Sequence, residues 1–397
     1  MPNREERTMQ RLNPILLPIV TMFYWFSVYT YVPIFPPYLN QMGLSLSVVG
    51  LVLGSYGLTQ MIVRIPIGIA ADRTGRRKPY VIAGLLVGTL SSAGFALFPA
   101  PALALLWRSL AGVAAGAWVA YTVMFARFFS SDEAPRAMSL LSYYASLGQM
   151  IAMLLGGILA GQFGIHFVFV IAACGGVIGL FIALWLQETP KRATEKPPSL
   201  LRMAADPRTL RASLLAALAQ AVTFTTLFGF TPIKAAHLHA THAQLGELTV
   251  LSTLPNALAG YLSSRPFMQR FGPRKLVTFG FLLSAVATLA IPYSTSMIWL
   301  FITQAFNGLG QGICMPQLMG LSIRHVREDL RATAMGFFQA VYSIGMFGGP
   351  VLVGLISRTS GLRGGFVAIS LISLLGALAS FITLRIYETK PYPRTSS

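Results

Sequence analysis

The chain has 397 residues, of which 54% are hydrophobic and only 11% charged, less than half the roughly 25% charge of a water-soluble domain. That balance excludes a soluble globular protein: a crossing helix needs about 20 apolar residues, so twelve use about 240 and leave room for loops and termini. Thirty Lys and Arg against twelve Asp and Glu give a net charge of +18, which in so apolar a chain reads as a topology signal, with no nucleic-acid partner expected.

The first apolar stretch, Pro14 to Tyr38, is too long for the core of a cleavable leader. It opens a series of twelve predicted spans, at 14–39, 45–71, 79–98, 103–127, 138–161, 166–186, 212–232, 245–264, 276–292, 297–321, 334–356 and 366–385. Lys and Arg number three in the N-terminal tail, four after span two, two after span four and six in the central segment. Four more follow span eight, three follow span ten and three lie in the C-terminal tail. The other side collects only Lys234, Arg358 and Arg363, so the positive-inside rule puts both termini and the central segment in the cytoplasm. That segment, Gln187 to Arg211, holds Pro190, Pro197, Pro198 and Pro207 and reads as a linker, with anionic lipid heads as a competing role. The expected domains are therefore a six-helix bundle over 1–186, the linker 187–211 and a second bundle over 212–397. The fold class is all-α and integral to the membrane.

The halves repeat each other at an offset of about 197 residues, half the chain. Asp72-Arg73-Thr74-Gly75-Arg76-Arg77-Lys78 aligns with Gln269-Arg270-Phe271-Gly272-Pro273-Arg274-Lys275, Ala137-Met138 with Ala334-Met335, and Gly148 with Gly345. With a one-residue slip, Gly112 and Gly116 meet Gly308 and Gly312. A duplicated six-span unit is what a transporter with two rocking bundles requires.

These residues carry a resemblance. Gly68-Ile69-Ala70-Ala71-Asp72-Arg73-Thr74-Gly75-Arg76-Arg77-Lys78 resembles the signature loop of the major facilitator superfamily, and its second copy has Gln269 at the acidic position. Arg108 with Gly112 and Gly116 resembles the superfamily's span-four motif, with Ala111 where many drug–proton antiporters carry Gln. In span five, Gly148, Gly156 and Gly157 fit the exporter pattern but Ala152 and Met153 replace its Gly-Pro pair. Gly345, Gly349, Pro350 and Gly354 supply that pattern in span eleven instead. The resemblance implies two six-helix bundles and alternating access. It also implies gating by Asp72, Arg73, Gly75 and Arg76, with Arg127 and the start of span eleven near Thr333 as candidate partners, and a cavity lined by spans one, four, seven and ten.

Only two ionisable groups lie well inside predicted spans, Arg64 and Arg108, and a charge at membrane depth is a functional candidate by default. Arg64, eight residues before Asp72, is also able to snorkel to the surface. Arg108 shares a face with Gly112, Ala115 and Thr122, small residues that leave room for a guanidinium. No acid falls in the middle of a span; Glu247, near the outer end of span eight, is the one acid close to a pathway, with pairing to Lys234 or proton coupling as its roles. Arginines without a deep acid favour an anionic or zwitterionic substrate. Shared faces add Trp25 and Tyr29 on span one, Gln220, Thr223 and Phe224 on span seven, and Gln304, Asn307 and Gln311 on span ten, with Asn256 on span eight.

His237-Leu238-His239-Ala240-Thr241-His242 reads as an exposed loop rather than a metal site. No phosphate-binding loop or nucleophile motif is present, so neither cofactor nor enzymatic activity is expected. Cys174 and Cys314 read as core residues. The expectation is a monomeric secondary transporter of small amphipathic or anionic molecules in a bacterial inner membrane, exporting by proton exchange. Import or facilitated diffusion is the runner-up, and a non-transporting receptor the remote one.

Overall fold

The computed structural model describes residues 4–129, 134–188, 206–263, 265, 268, 270–326 and 331–387. Among these residues every regular element is helical: α1 Arg4–Tyr29, α2 Phe35–Gln41, α3 Leu46–Thr74, α4 Lys78–Leu97, α5 Pro101–Gly116, α6 Trp118–Ala126 and α7 Ala134–Leu184 come first. Then follow α8 Pro207–Thr225, α9 Thr231–His237, α10 His242–Ser263, α11 Gly272–Ala290, α12 Met297–Ile323 and α13 Arg331–Thr383.

Seven stretches of the described residues are long and apolar enough to cross a membrane. Two of them, Leu140–Leu184 and Thr333–Thr383, have 45 and 51 residues and at 1.5 Å per residue would each run for about 68 Å or more, over twice a hydrocarbon core. Each is broken by a glycine in the left-handed region, Gly164 at φ 81° and Gly361 at φ 64°, and so makes two crossings. With Asn13–Tyr29, α10 and α12, the twelve predicted spans are accounted for.

The duplication is written in the backbone. Gly164 and Gly361 stand 197 residues apart, and so do Gly75 (φ 66°) and Gly272 (φ 75°), which turn the chain into α4 and α11. A side chain at any of these four positions would meet the left-handed steric penalty.

By internal packing the chain divides into two compact units: Met1–Pro198 with Ala235–Val250, and Ser199–Lys234 with Leu251–Ser397. In the first unit α1 and α4 pack against α7, and α3 against α5. Gly157 of α7 closes on Gly246 and the His242 carbonyl in the first turn of α10, an approach that a Cβ would block. In the second unit α8 packs along α13, and α11 against α12 and α13.

Span one is shorter than the hydropathy predicts. It stops at Tyr29 and gives way to turns and the seven-residue α2, because Pro33, Pro36 and Pro37 remove N–H donors and push preceding residues away from the helical region. Span four is split by a tight turn at Ala117 between α5 and α6, and span seven contains a π turn at Thr226–Phe230. Cys314 is buried in the second unit's core with Val277, Phe281 and Phe338. Cys174 is exposed, contrary to the core expectation, since in a lipid-solvated protein apolar stretches also cover the outside.

Candidate functional site

Arg108 projects from the small-residue face of α5 and is only 3% exposed. Its guanidinium carbon lies 4.5 Å from the ring centre of Tyr56, 5.7 Å from Phe35 and 5.8 Å from Tyr31, and Nη1 donates to the Tyr31 hydroxyl at 3.3 Å. Its Nε is buried without a hydrogen-bond partner. Desolvated cation–π contacts are each worth about 2 kcal/mol, so three aromatic faces offset an insertion cost of about 2.5–3.5 kcal/mol. They do not neutralise the charge. Between Glu6 and Asp132 the sequence has no acid except Asp72, so the cage is a standing positive charge among π faces.

The cage continues into α1 and α6. Trp25 meets Tyr29 at 5.3 Å, Tyr24 at 5.0 Å and Trp118 at 5.4 Å, all edge to face. Tyr24 packs on Tyr121 at 4.6 Å and lies in the field of Arg64, itself 2% exposed. The indole N–H of Trp25 is buried and has no acceptor.

The second unit builds a neutral counterpart. Gln304, Asn307 and Gln311 are all buried on one face of α12. Asn307 Nδ2 donates to Thr226 Oγ1 at 2.8 Å, at the start of the π turn, and Gln311 Nε2 donates to Ser284 Oγ at 3.1 Å. The side-chain oxygens of all three amides, and Gln304 Nε2 as well, lack partners. Each orphaned buried group costs about 1–3 kcal/mol, and π turns recur at functional sites.

A third cluster closes one end of the first unit. Glu188, just beyond α7, accepts the backbone N–H of Arg77 at 2.6 Å and of Lys78 at 2.7 Å, which occupies the unsatisfied N-terminus of α4. Arg127 Nη1 reaches Glu188 Oε1 at 3.1 Å and the Gly75 carbonyl at 3.2 Å. Asn13 pairs both ways with the backbone of Gln187. Glu188 has no place among the residues singled out from sequence. The available signal was a single acid at the end of span six, on the side where Arg73, Arg76, Arg77, Lys78 and Arg127 cluster.

Of the residues singled out from sequence, Arg108, Arg64, Trp25 and Tyr29 gather in the first unit, and Gln304, Asn307 and Gln311 in the second. Thr223 donates to the Ala219 carbonyl of its own helix, and Gln220 and Asn256 are half-buried. Glu247 is exposed on α10, and Arg73 and Arg76 are exposed beside the buried Gly75. Gly345 and Gly349, expected from sequence to take part in gating with Pro350, press on the Ala217 and Ala221 backbones of α8, and Pro350 is buried within α13. The side chain of Asp72 lies outside the described residues, as do residues 189–205 of the linker. No group of three or more metal-ligating side chains occurs among the described residues.

The sequence profile of the Major Facilitator Superfamily matches residues 17–233 and 212–397. The chain belongs to that superfamily. Among curated relatives of this superfamily member, the class C tetracycline resistance protein of Escherichia coli is 24% identical over 78% of the chain and 80% of its own length. A multi-drug resistance efflux pump PmrA homolog of Lactococcus lactis is 23% identical over 98% of both. The same fold occurs in a bacterial homolog of the human lysosomal transporter Spinster, inward-facing and occupied, with TM-score 0.80 at 19% identity over 96% of this chain and 98% of that one. The nucleoside transporter NupG has it too, with TM-score 0.73 at 16% identity over 95% and 99%. The chain is an integral membrane transporter, and its relatives are transporters rather than enzymes.

Proposed function

We propose that this protein exports small organic anions or anionic amphipaths by alternating access, in exchange for protons, as a monomer in a bacterial inner membrane with both termini cytoplasmic. The carrying observation is Arg108: a fixed guanidinium buried in an aromatic cage, on a stretch with no acid to neutralise it. A carboxylate or phosphate supplies the missing charge and accepts from the partnerless Nε, a geometry that suits the planar fork. Drug-efflux relatives support export, while the nucleoside-transporter neighbour supports the fold alone.

Glu247 is the carboxylate assigned to proton exchange, and Asp72 the acid assigned to latching the two halves, with Arg127 held in place by Glu188. The test is flux in proteoliposomes under an imposed pH gradient, with an organic anion and its neutral amide as paired substrates. The reading requires gradient-driven movement of the anion, blunted by Glu247→Gln. Movement of the amide alone, or of neither, rejects it.

A further inference from the structure

We infer that the ring cluster joining Arg108 to Trp25 and Trp118 is a binding site for a planar aromatic carboxylate. This deepens the anion reading above and rests on it. The indole N–H of Trp25 is a donor only; it is buried, on a side chain 6% exposed, and no protein acceptor meets it. A donor left unpaired at membrane depth is kept for an acceptor that arrives with a ligand.

The rings run in one contiguous path. Trp118 is 5.4 Å from Trp25, Trp25 is 5.3 Å from Tyr29, Tyr29 shares a side-chain hydrogen bond with Tyr56, and the Tyr56 ring lies 4.5 Å from the Arg108 guanidinium. All these residues belong to α1, α3, α5 and α6 of the first unit. A ligand ring has edges and faces to pair with along this path, whereas a saturated chain gains only burial. Aromatic cages also take cations, but this one already holds Arg108 and lies near Arg64, so an ammonium would meet like charge on both flanks. An acceptor for the indole, a negative group for the guanidinium and a flat ring between them define the ligand class.

The probes are 2-naphthoate, its saturated counterpart decalin-2-carboxylate, 6-hydroxy-2-naphthoate, whose hydroxyl oxygen offers the indole its acceptor, and neutral 2-naphthamide, bound to purified protein and measured by calorimetry and by quenching of tryptophan fluorescence. 2-Naphthoate binds about tenfold or more tighter than the decalin acid, since an aromatic pair adds about a factor of ten beyond burial. Trp25→Phe keeps a ring and loses the donor, and weakens 6-hydroxy-2-naphthoate about fivefold with 2-naphthoate and the decalin acid unchanged. Trp118→Phe is the second variant, with normal folding checked by thermal melting, and it reduces quenching while sparing the decalin acid. Equal affinity for 2-naphthoate and the decalin acid, or equal losses for all three acids in either variant, overturns the aromatic site and leaves the anion reading standing. Equal affinity for naphthoate and naphthamide, or no binding of either acid, overturns both.

Discussion

The two units repeat one scaffold and bury opposite chemistry in it. Gly112 of α5 lies on the Tyr56 carbonyl, and Gly308 of α12 lies on the Ser252 carbonyl. Both pairs tolerate no Cβ, and the second follows the first at an offset of 196. At that same offset Arg108 becomes Gln304, Ala111 becomes Asn307 and Ala115 becomes Gln311. The first unit thus concentrates charge in one side chain and surrounds it with rings. The second distributes neutral amides whose oxygens are left open. Helix contact fixes the glycines in both copies, because backbone there touches backbone, whereas the positions between them carry no such constraint and are free to diverge.

The comparison breaks most visibly if the first unit is given the second unit's residue. Arg108→Gln lowers affinity for an organic anion about 100-fold or more, consistent with the loss of a charge-assisted bidentate contact and of the cation held by Tyr31, Phe35 and Tyr56, and leaves a neutral analogue little changed; ligand binding to the folded variant measures this. Glu188→Ala has no repeat partner among the described residues and tests an asymmetry. It strips the α4 N-terminus and Arg127 of their shared acceptor at a cost of about 2–4 kcal/mol, seen as a lower melting temperature.

Gln304→Leu replaces an amide with no partner at either end by an apolar side chain of similar size. It raises stability by about 1 kcal/mol and diminishes transport, the pattern of a group retained for function. A loss of stability instead would make Gln304 structural. The smallest effect concerns Asp206, the N-cap of α8. Its partial burial raises its pKa, but the Thr209 hydroxyl and the backbone N–H groups of Thr209 and Arg208 outweigh this and hold it below the usual carboxylate range. Its contribution is therefore present above the unfolded carboxylate pKa and fades as pH falls through the lower folded value. The gap in melting temperature between Asp206→Ala and the parent should be open at neutral pH and narrow in acid; a gap that widens in acid contradicts the cap.

The crossings were legible because their signal, about 20 apolar residues between charged or turn-forming segments, is independent of tertiary context. The duplicated positive-φ glycines were half legible: Gly75 and Gly272 appear in an aligned motif, while Gly164 and Gly361 fall in the breaks between predicted spans, Gly361 between Arg358 and Arg363, with no aligned motif to single them out. The early end of α1 was written in Pro33, Pro36 and Pro37 and was overridden by hydropathy. The π turn opposite Asn307 has no sequence signal, since it depends on packing between α8 and α12. In the candidate site, shared faces correctly grouped Gln304 with Asn307 and Gln311. Tyr31, Phe35 and Tyr56 were missed around Arg108, because a cage drawn from three separate elements leaves no local pattern.

The Glu188 clamp also bears on how the chain is made. The carboxylate that satisfies the Arg77 N–H is encoded 111 residues later, which at 5–20 residues per second is roughly 6 to 22 s of synthesis. For that interval the third crossing lacks the cap at its amino end, and Arg127, made 61 residues before Glu188, is without its acid for the later part of it. Assembly of the first unit is then completed by its last helix reaching back to the loop after the second, so a ribosome stalled just before residue 188 would have all six crossings of that unit encoded and its closing contact still unwritten.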